Sequence, residues 1–143
     1  MTPYRYIVIV GCGRLGSILA NQLSRQGRNV VIIDRQASAF DNLSSGFSGF
    51  RVTGDAAELA ILREAKIDEA DCLLAVTRQD NVNLMVAQVG KVVFGIPKVV
   101  ARVYDPSRVA LYQEFGIETI CPTQISTGMF LTALQPEPEA GPS

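Results

Sequence analysis

The chain has no histidine and no tryptophan, and only three cysteines in 143 residues. Losing histidine removes the side chain that most often serves as general acid or base near neutral pH. No nucleophile motif and no cluster of metal-ligating residues takes its place. Cys12, Cys72 and Cys121 are odd in number, and two of them sit in apolar, strand-like runs. Buried free thiols in a reducing compartment are therefore expected. A net charge of −1 supplies no electrostatic footprint for DNA or RNA, which excludes a nucleic-acid partner from the reading. No apolar run reaches the roughly 18 residues that a membrane span needs, so direct membrane insertion is not expected. The start, MTPYRYIVIVG, has Arg5 before an apolar stretch, but that stretch ends at Val10 and no small-residue cleavage site follows. The expected location is cytoplasmic.

What is present is an ordinary globular composition, 48% hydrophobic and 19% charged, with enough chain to bury one core. Short β-branched runs alternate with stretches of helical period. Strands are predicted at Tyr6 to Val10, Val30 to Ile33, Phe50 to Val52, Cys72 to Val76, Val99 to Val103 and Glu118 to Ile120. Runs such as VVIID are apolar throughout, as strands buried on both faces must be, so the sheet is predicted parallel. Helices are predicted at Leu15 to Gln26, Ser38 to Ser44, Ala57 to Ala65, Asn81 to Phe94 and Ser107 to Phe115. Leu15, Ile18, Leu19 and Leu23 form an apolar stripe, Gly27 supplies a stop, and Asp105-Pro106 supplies a cap followed by a first-turn proline. The expected fold is an α/β, Rossmann-like, doubly wound parallel sheet of about six strands with helices on both faces. Thr123 to Leu134 reads as a further helix whose Ile125, Met129, Phe130 and Leu134 are generous for an outer position, which suggests a subunit interface. Residues 1–134 are thus expected to form one domain, and the proline-rich 135–143 stretch a disordered tail or truncated linker.

Gly11-x-Gly13-x-x-Gly16 follows the first predicted strand and opens the first predicted helix, with Cys12, Arg14 and Leu15 between the glycines. Gly11 would make the tight turn, Gly13 would let a diphosphate approach the backbone, and Gly16 would let the helix pack closely on the strand. The helix start would then offer free N–H groups and positive dipole to the anion. Asp34 closes the second strand, 18 positions after Gly16, where its carboxylate could accept from both ribose hydroxyls. The alternative is that Asp34 caps the following helix. Asp34 disfavours a 2′-phosphate while the adjacent Arg35 favours one, and NAD(H) or ATP/ADP fits best. Arg14 is an addition that a plain dehydrogenase loop does not require. It could reach a phosphate, including that of a neighbouring subunit's ligand, or could be a solvated first-turn arginine.

The stretches VIVGCGRLG, VIIDR, GDAAE, DEADCLLAVTRQDNVNLMVAQVGK and PKVVARVYDP occur in the order that resembles the regulator-of-potassium-conductance domain, the nucleotide-binding domain of Trk/Ktr-type potassium uptake regulators. The resemblance implies that Asp55 and Ala56 lie against the adenine, that Ala75, Val76 and Thr77 pass beside the ribose and phosphates, and that Arg102 faces the nucleotide. It also matches Arg14 to the arginine that reads a terminal phosphate across a dimer interface in ATP/ADP-responsive relatives. Each has a plainer reading: Asp55 and Asp80 as helix caps, and Arg102 as the partner of an acid. Some relatives carry an acid after the proline that follows the last strand, where a divalent ion binds; here Cys121-Pro122 is followed by Thr123, so no metal site is expected. The C-terminal ligand-binding domain of many relatives is not in this sequence, which leaves a natural single-domain member or an excised N-terminal domain.

Together these features imply a non-catalytic regulatory subunit or domain. It would form a homodimer able to assemble into a larger ring, bind an adenine nucleotide, and act on a membrane potassium transporter or channel from the inner face of the plasma membrane. Arg14 favours ATP/ADP, whereas ARV and AVT look more like the NAD-associated Trk relatives. The rival readings are an NAD-dependent oxidoreductase fragment lacking its substrate domain and a structural domain with a vestigial site.

Overall fold

The computed structural model describes residues 4–137, so most of the 135–143 stretch lies outside the described residues. Six parallel strands form one sheet: β1 (Tyr6–Val10), β2 (Asn29–Asp34), β3 (Phe50–Thr53), β4 (Cys72–Ala75), β5 (Lys98–Arg102) and β6 (Glu118–Ile120). Their order is β3-β2-β1-β4-β5-β6. Chain direction across the sheet therefore reverses between β1 and β4, and this is the edge where doubly wound sheets place their ligands. The helices are α1 (Arg14–Arg25), α2 (Leu59–Glu64), α3 (Asp80–Gln88), α4 (Val109–Glu114) and α5 (Pro122–Ala133).

Burial on both faces explains the unbroken apolar strands. Val8 and Val10 point into a core that also holds Ile33, Leu73, Ala101 and Tyr112, while Ile7 and Ile9 point into a second core with Ile32, Phe47 and Cys72. All six strands lie where the sequence predicts them, to within one residue at each end. No described helix is long and apolar enough to cross a membrane.

Some elements differ from expectation for identifiable reasons. The residues of α1 that face the sheet are small, Gly16, Ser17, Ala20 and Ser24, with Leu15, Leu19 and Leu23 packed at the flanks. Ile18, counted in the predicted stripe, is instead 48% exposed, because small residues bring the helix axis close and leave position 18 at the edge. The predicted helix at Ser38 to Ser44 is a 3-10 segment, Ala37–Asn42. The predicted single helix from Asn81 to Phe94 is α3 continued by a wider π turn, Val89–Val93, in which the Phe94 N–H donates to Val89 O at 3.2 Å. Gly90 sits inside that turn, where a Cβ would fall 2.3 Å from Leu73 Cδ2. Asp105 does cap, accepting from Ser107 N at 3.0 Å, but its first turn is 3-10 (Pro106–Arg108) before α4 begins.

All three cysteines are free and buried. Burial pushes the Cys12 thiol up to about 11, with the Asp34 carboxylate adding to the effect. Burial, then Asp71, does the same for Cys72. A thiol reagent at pH 8 is expected to label these two slowly in the folded chain and all three cysteines on addition of denaturant. Rapid native labelling of Cys12 or Cys72 would contradict the packing described.

Candidate nucleotide site

A cavity of about 1110 Å³ opens over the C-terminal ends of the strands. Its floor is the turn between β1 and α1. Gly11 has φ +107, and a Cβ there would meet Thr77 N at 2.9 Å, so both its conformation and the proximity of the β4 exit require glycine. At Gly16 a Cβ would fall 1.8 Å from the Gly11 carbonyl oxygen, which is the close helix packing expected of this position. Gly13 differs: nothing lies within 4 Å of its would-be Cβ. It is the N-cap of α1, where no side chain caps the helix and no acid occupies the first turn. The free N–H groups and dipole of that helix start therefore face the cavity uncompensated.

One side of the cavity is formed by the ends of β2 and β3. Asp34 Oδ2 accepts from Cys12 N at 2.8 Å and Oδ1 accepts from Gln36 N at 2.9 Å. The carboxylate thus braces the glycine loop and starts the following turn, while each oxygen keeps a lone pair for another donor. Asp34 does not cap the following helix: Gln36 holds the N-cap position of the 3-10 segment, with no side-chain cap bond. Asn42, which sequence reasoning did not single out, donates to Cys12 O at 3.2 Å and fixes the loop from the other side. Asp55 accepts from Ala57 N at 2.8 Å, a turn of its own that sets α2 back to Leu59.

Gly11 to Leu15, Asp34, Arg35, Asp55, Ala56, Val76, Thr77 and Arg102 all line the cavity. Gly16 stands just behind it. Cys12 contributes backbone, its thiol being part of the core beneath. Arg14 is exposed at the first residue of α1. Ala75 is the residue the structure places elsewhere: it is fully buried within the sheet, packed in the core opposite to the one beneath α1, and does not line the cavity. Strand alternation explains this, because Val76, one residue later, turns to the other face.

The far wall is tied together by Asn83, which is 0% exposed on α3. Its Oδ1 accepts from Thr77 N at 2.9 Å and Thr77 Oγ1 at 2.6 Å. Its Nδ2 donates to Thr77 O and to Arg102 O, both at 3.0 Å. Four bonds exhaust the amide and lock the ends of β4 and β5 together. Asp80 does not cap α3. Gln79 holds the cap position, and the Asp80 carboxylate reaches back to accept from Tyr104 N at 2.8 Å and Asp105 N at 3.1 Å. The D-x-x-N spacing was visible in DNVN, yet a polar residue on an apolar helix carries no sign of which backbone it satisfies.

Arg102 does not pair with an acid among the described residues. Its Nη2 donates to Val76 O at 2.5 Å and Thr77 O at 3.0 Å, the Tyr104 ring lies 4.6 Å from the guanidinium carbon, and Nε is buried without a partner. Burial lowers the pKa of this cation, and Arg78 adds to the effect. An incompletely paired, partly desolvated cation at the cavity wall is a site for an anion.

A doubly wound sheet with a glycine turn at its reversal point defines the class of the domain. Residues 7–122 match the TrkA-N domain, and the chain belongs to that family. It is 44% identical over 131 residues to the Trk system potassium uptake protein TrkA of Streptomyces coelicolor, covering 92% of this chain and 59% of that one. The chain thus spans about three fifths of the length of this relative. The TrkA-N domain of the inner membrane protein ybaL of Escherichia coli superimposes with a TM-score of 0.81 at 20% identity, covering 94% of this chain and 100% of that one. The GsuK channel bound to NAD superimposes with a TM-score of 0.77 at 25% identity over 93% of this chain and 24% of that one, and GsuK bound to ADP does so with a TM-score of 0.77 at 25% identity over 92% and 34%.

Replacing the fully buried Asn83 by alanine takes the partner from the Thr77 N–H and the Arg102 carbonyl. The expected cost is at least about 2 kcal/mol of folding free energy by urea denaturation. A change below about 0.5 kcal/mol would mean that Asn83 does not hold the two strand ends.

Proposed function

We propose that the domain binds an adenine nucleotide, NAD(H) or ATP/ADP, in the cavity over the strand ends and passes its occupancy to a membrane potassium transporter or channel. Gly13 carries the reading. The fold itself demands glycine at Gly11 and Gly16, but at Gly13 a side chain would meet only the cavity. The absence of a side chain there serves something that enters the cavity beside the helix start.

In this reading Asp34 receives the ribose hydroxyls through its remaining lone pairs, Asp55 and Ala56 flank the adenine, and Val76 and Thr77 pass beside the ribose and phosphates. The start of α1 and Arg102 receive the phosphates, and Arg14 reaches a terminal phosphate, its own or a neighbouring subunit's. Two observations support the ligand class: the cavity is large enough for a dinucleotide, and GsuK structures were obtained with NAD and with ADP.

The sequence has no histidine, and binding without chemistry is the role we assign. Binding can still do work, because a ligand that prefers one of two conformations shifts their populations by its differential affinity. A charge-assisted contact made to one nucleotide form and not the other contributes about 1.5–3 kcal/mol. That matches the roughly 1–3 kcal/mol typical of allosteric coupling. Residues 1–134 would form the nucleotide-binding unit and 135–143 a tail or linker.

The contact between subunits is assigned to α5. Ile125, Met129, Phe130, Leu131 and Leu134 are between 53% and 81% exposed, an apolar surface that a second copy would cover. A homodimer, able to assemble further into a ring, would sit at the cytoplasmic face of the membrane beside its transporter.

Two measurements test this. Gly13→Ala should retain wild-type folding stability to within about 1 kcal/mol, yet lose at least about tenfold in affinity for whichever nucleotide the wild type binds, a loss of about 1.4 kcal/mol. Unchanged affinity would remove the phosphate from the glycine loop. Phe130→Asp should convert a dimer to a monomer in light scattering coupled to size exclusion, and a variant as dimeric as the wild type would place the contact elsewhere.

A further inference from the structure

α5 is held to the domain at its root. Every residue from Thr123 to Leu134 is exposed, whereas Cys121 immediately before the helix is buried. That root adjoins the Arg102 wall of the cavity. Arg102 and Ile120 are cross-strand partners, and the Val103 N–H donates to Ile120 O at 3.0 Å, two residues before α5 begins at Pro122.

A second connection runs through Tyr104. The residue is 40% exposed, its ring covers the Arg102 guanidinium, and it lines the cavity. Its carbonyl accepts from Thr123 Oγ1 across a long 3.4 Å in the first turn of α5. Asp80 accepts from the Tyr104 N–H and, across the same carbonyl, from the Asp105 N–H, so the ring, its backbone and the root of α5 are held as one unit.

Arg102 is the incompletely satisfied partner. A single Nη2 serves both the Val76 and Thr77 carbonyls, while the buried Nε has no acceptor. A phosphate oxygen is a stronger acceptor for a guanidinium than a neutral carbonyl, and a buried unpaired donor gains by any rearrangement that satisfies it.

We propose that Tyr104 is the positioning residue that relays occupancy of the cavity to α5. The guanidinium cannot leave the Val76 and Thr77 carbonyls without displacing the ring stacked on it, and the backbone of the same residue holds the first turn of α5. This rests on the nucleotide reading of the cavity.

The test is hydrogen exchange of the α5 amides in the whole chain, with and without ATP, ADP, NADH or NAD, alongside affinities measured by calorimetry. In the wild type, a bound nucleotide should change α5 exchange. Tyr104→Ala should abolish that change even at nucleotide concentrations that saturate the variant, and Tyr104→Phe, which retains the ring, should preserve it. If Tyr104→Ala does not fold or does not bind, Thr123→Val removes the donor at the helix root and should weaken the α5 response at unchanged affinity. A full α5 response in Tyr104→Ala, or in Thr123→Val where that variant carries the test, overturns the relay. So does a Tyr104→Phe variant that loses the response as completely as alanine. A wild type that binds nucleotide with no change at α5 defeats the relay alone, whereas a wild type that binds none of the four defeats the nucleotide reading itself.

Discussion

Where β1 and β4 lie side by side, the chain leaves the sheet at the same edge in two directions, and the two exits touch. The contact between Gly11 and the Val76–Thr77 backbone has no room for a side chain, and Gly16 must approach the Gly11 carbonyl just as closely. Everything at the site follows from that crowding. It pins the start of α1 over the sheet edge, orients the helix N–H groups toward the cavity, and brings the β4 exit within reach of Asn83 and Arg102. Polar side chains then secure the crowded backbone from both flanks, Asp34 and Asn42 on one side and Asn83 and Asp80 on the other.

Those braces also divide the site by character. On the β2–β3 side two carboxylates line the cavity beside Arg35, each with part of its hydrogen-bonding capacity committed to backbone N–H groups. On the β4–β5 side Arg78 and Arg102 line it. Asp34 acts on both levels, since the same carboxylate shapes the loop and lines the cavity, so a substitution there perturbs scaffold and cavity together. Gly13 is the cleaner probe because only the cavity lies beyond it.

The sheet and most of the cavity lining were legible in the sequence because their causes are local. Apolar runs such as VVIID report burial on both faces, and the glycine spacing reports a turn that few other residues can make. What escaped the sequence depends on where distant backbone comes to rest. Asn83 satisfies groups on two other elements, and Asp80 reaches back to Tyr104 and Asp105 although its position suggested a cap. Ala75 was grouped with its neighbours in AVT, but strand alternation turns it away from the cavity. The rotation of α1 that exposes Ile18 arises because Gly16, Ala20 and Ser24, not the leucines, set how closely the helix lies on the sheet. A pattern of hydrophobic residues carries no information on that distance.

The central claim is that this cavity holds an adenine nucleotide and distinguishes its forms. The most direct measurement is a parallel calorimetric titration of the chain with ATP, ADP, NADH and NAD. The account predicts saturable binding of at least one pair, with one member clearly tighter than the other, since a site that treats both alike cannot shift a conformational equilibrium between them. No binding of any of the four at about millimolar concentration, a limit of about −4 kcal/mol, would contradict it and leave the glycine turn as scaffold alone.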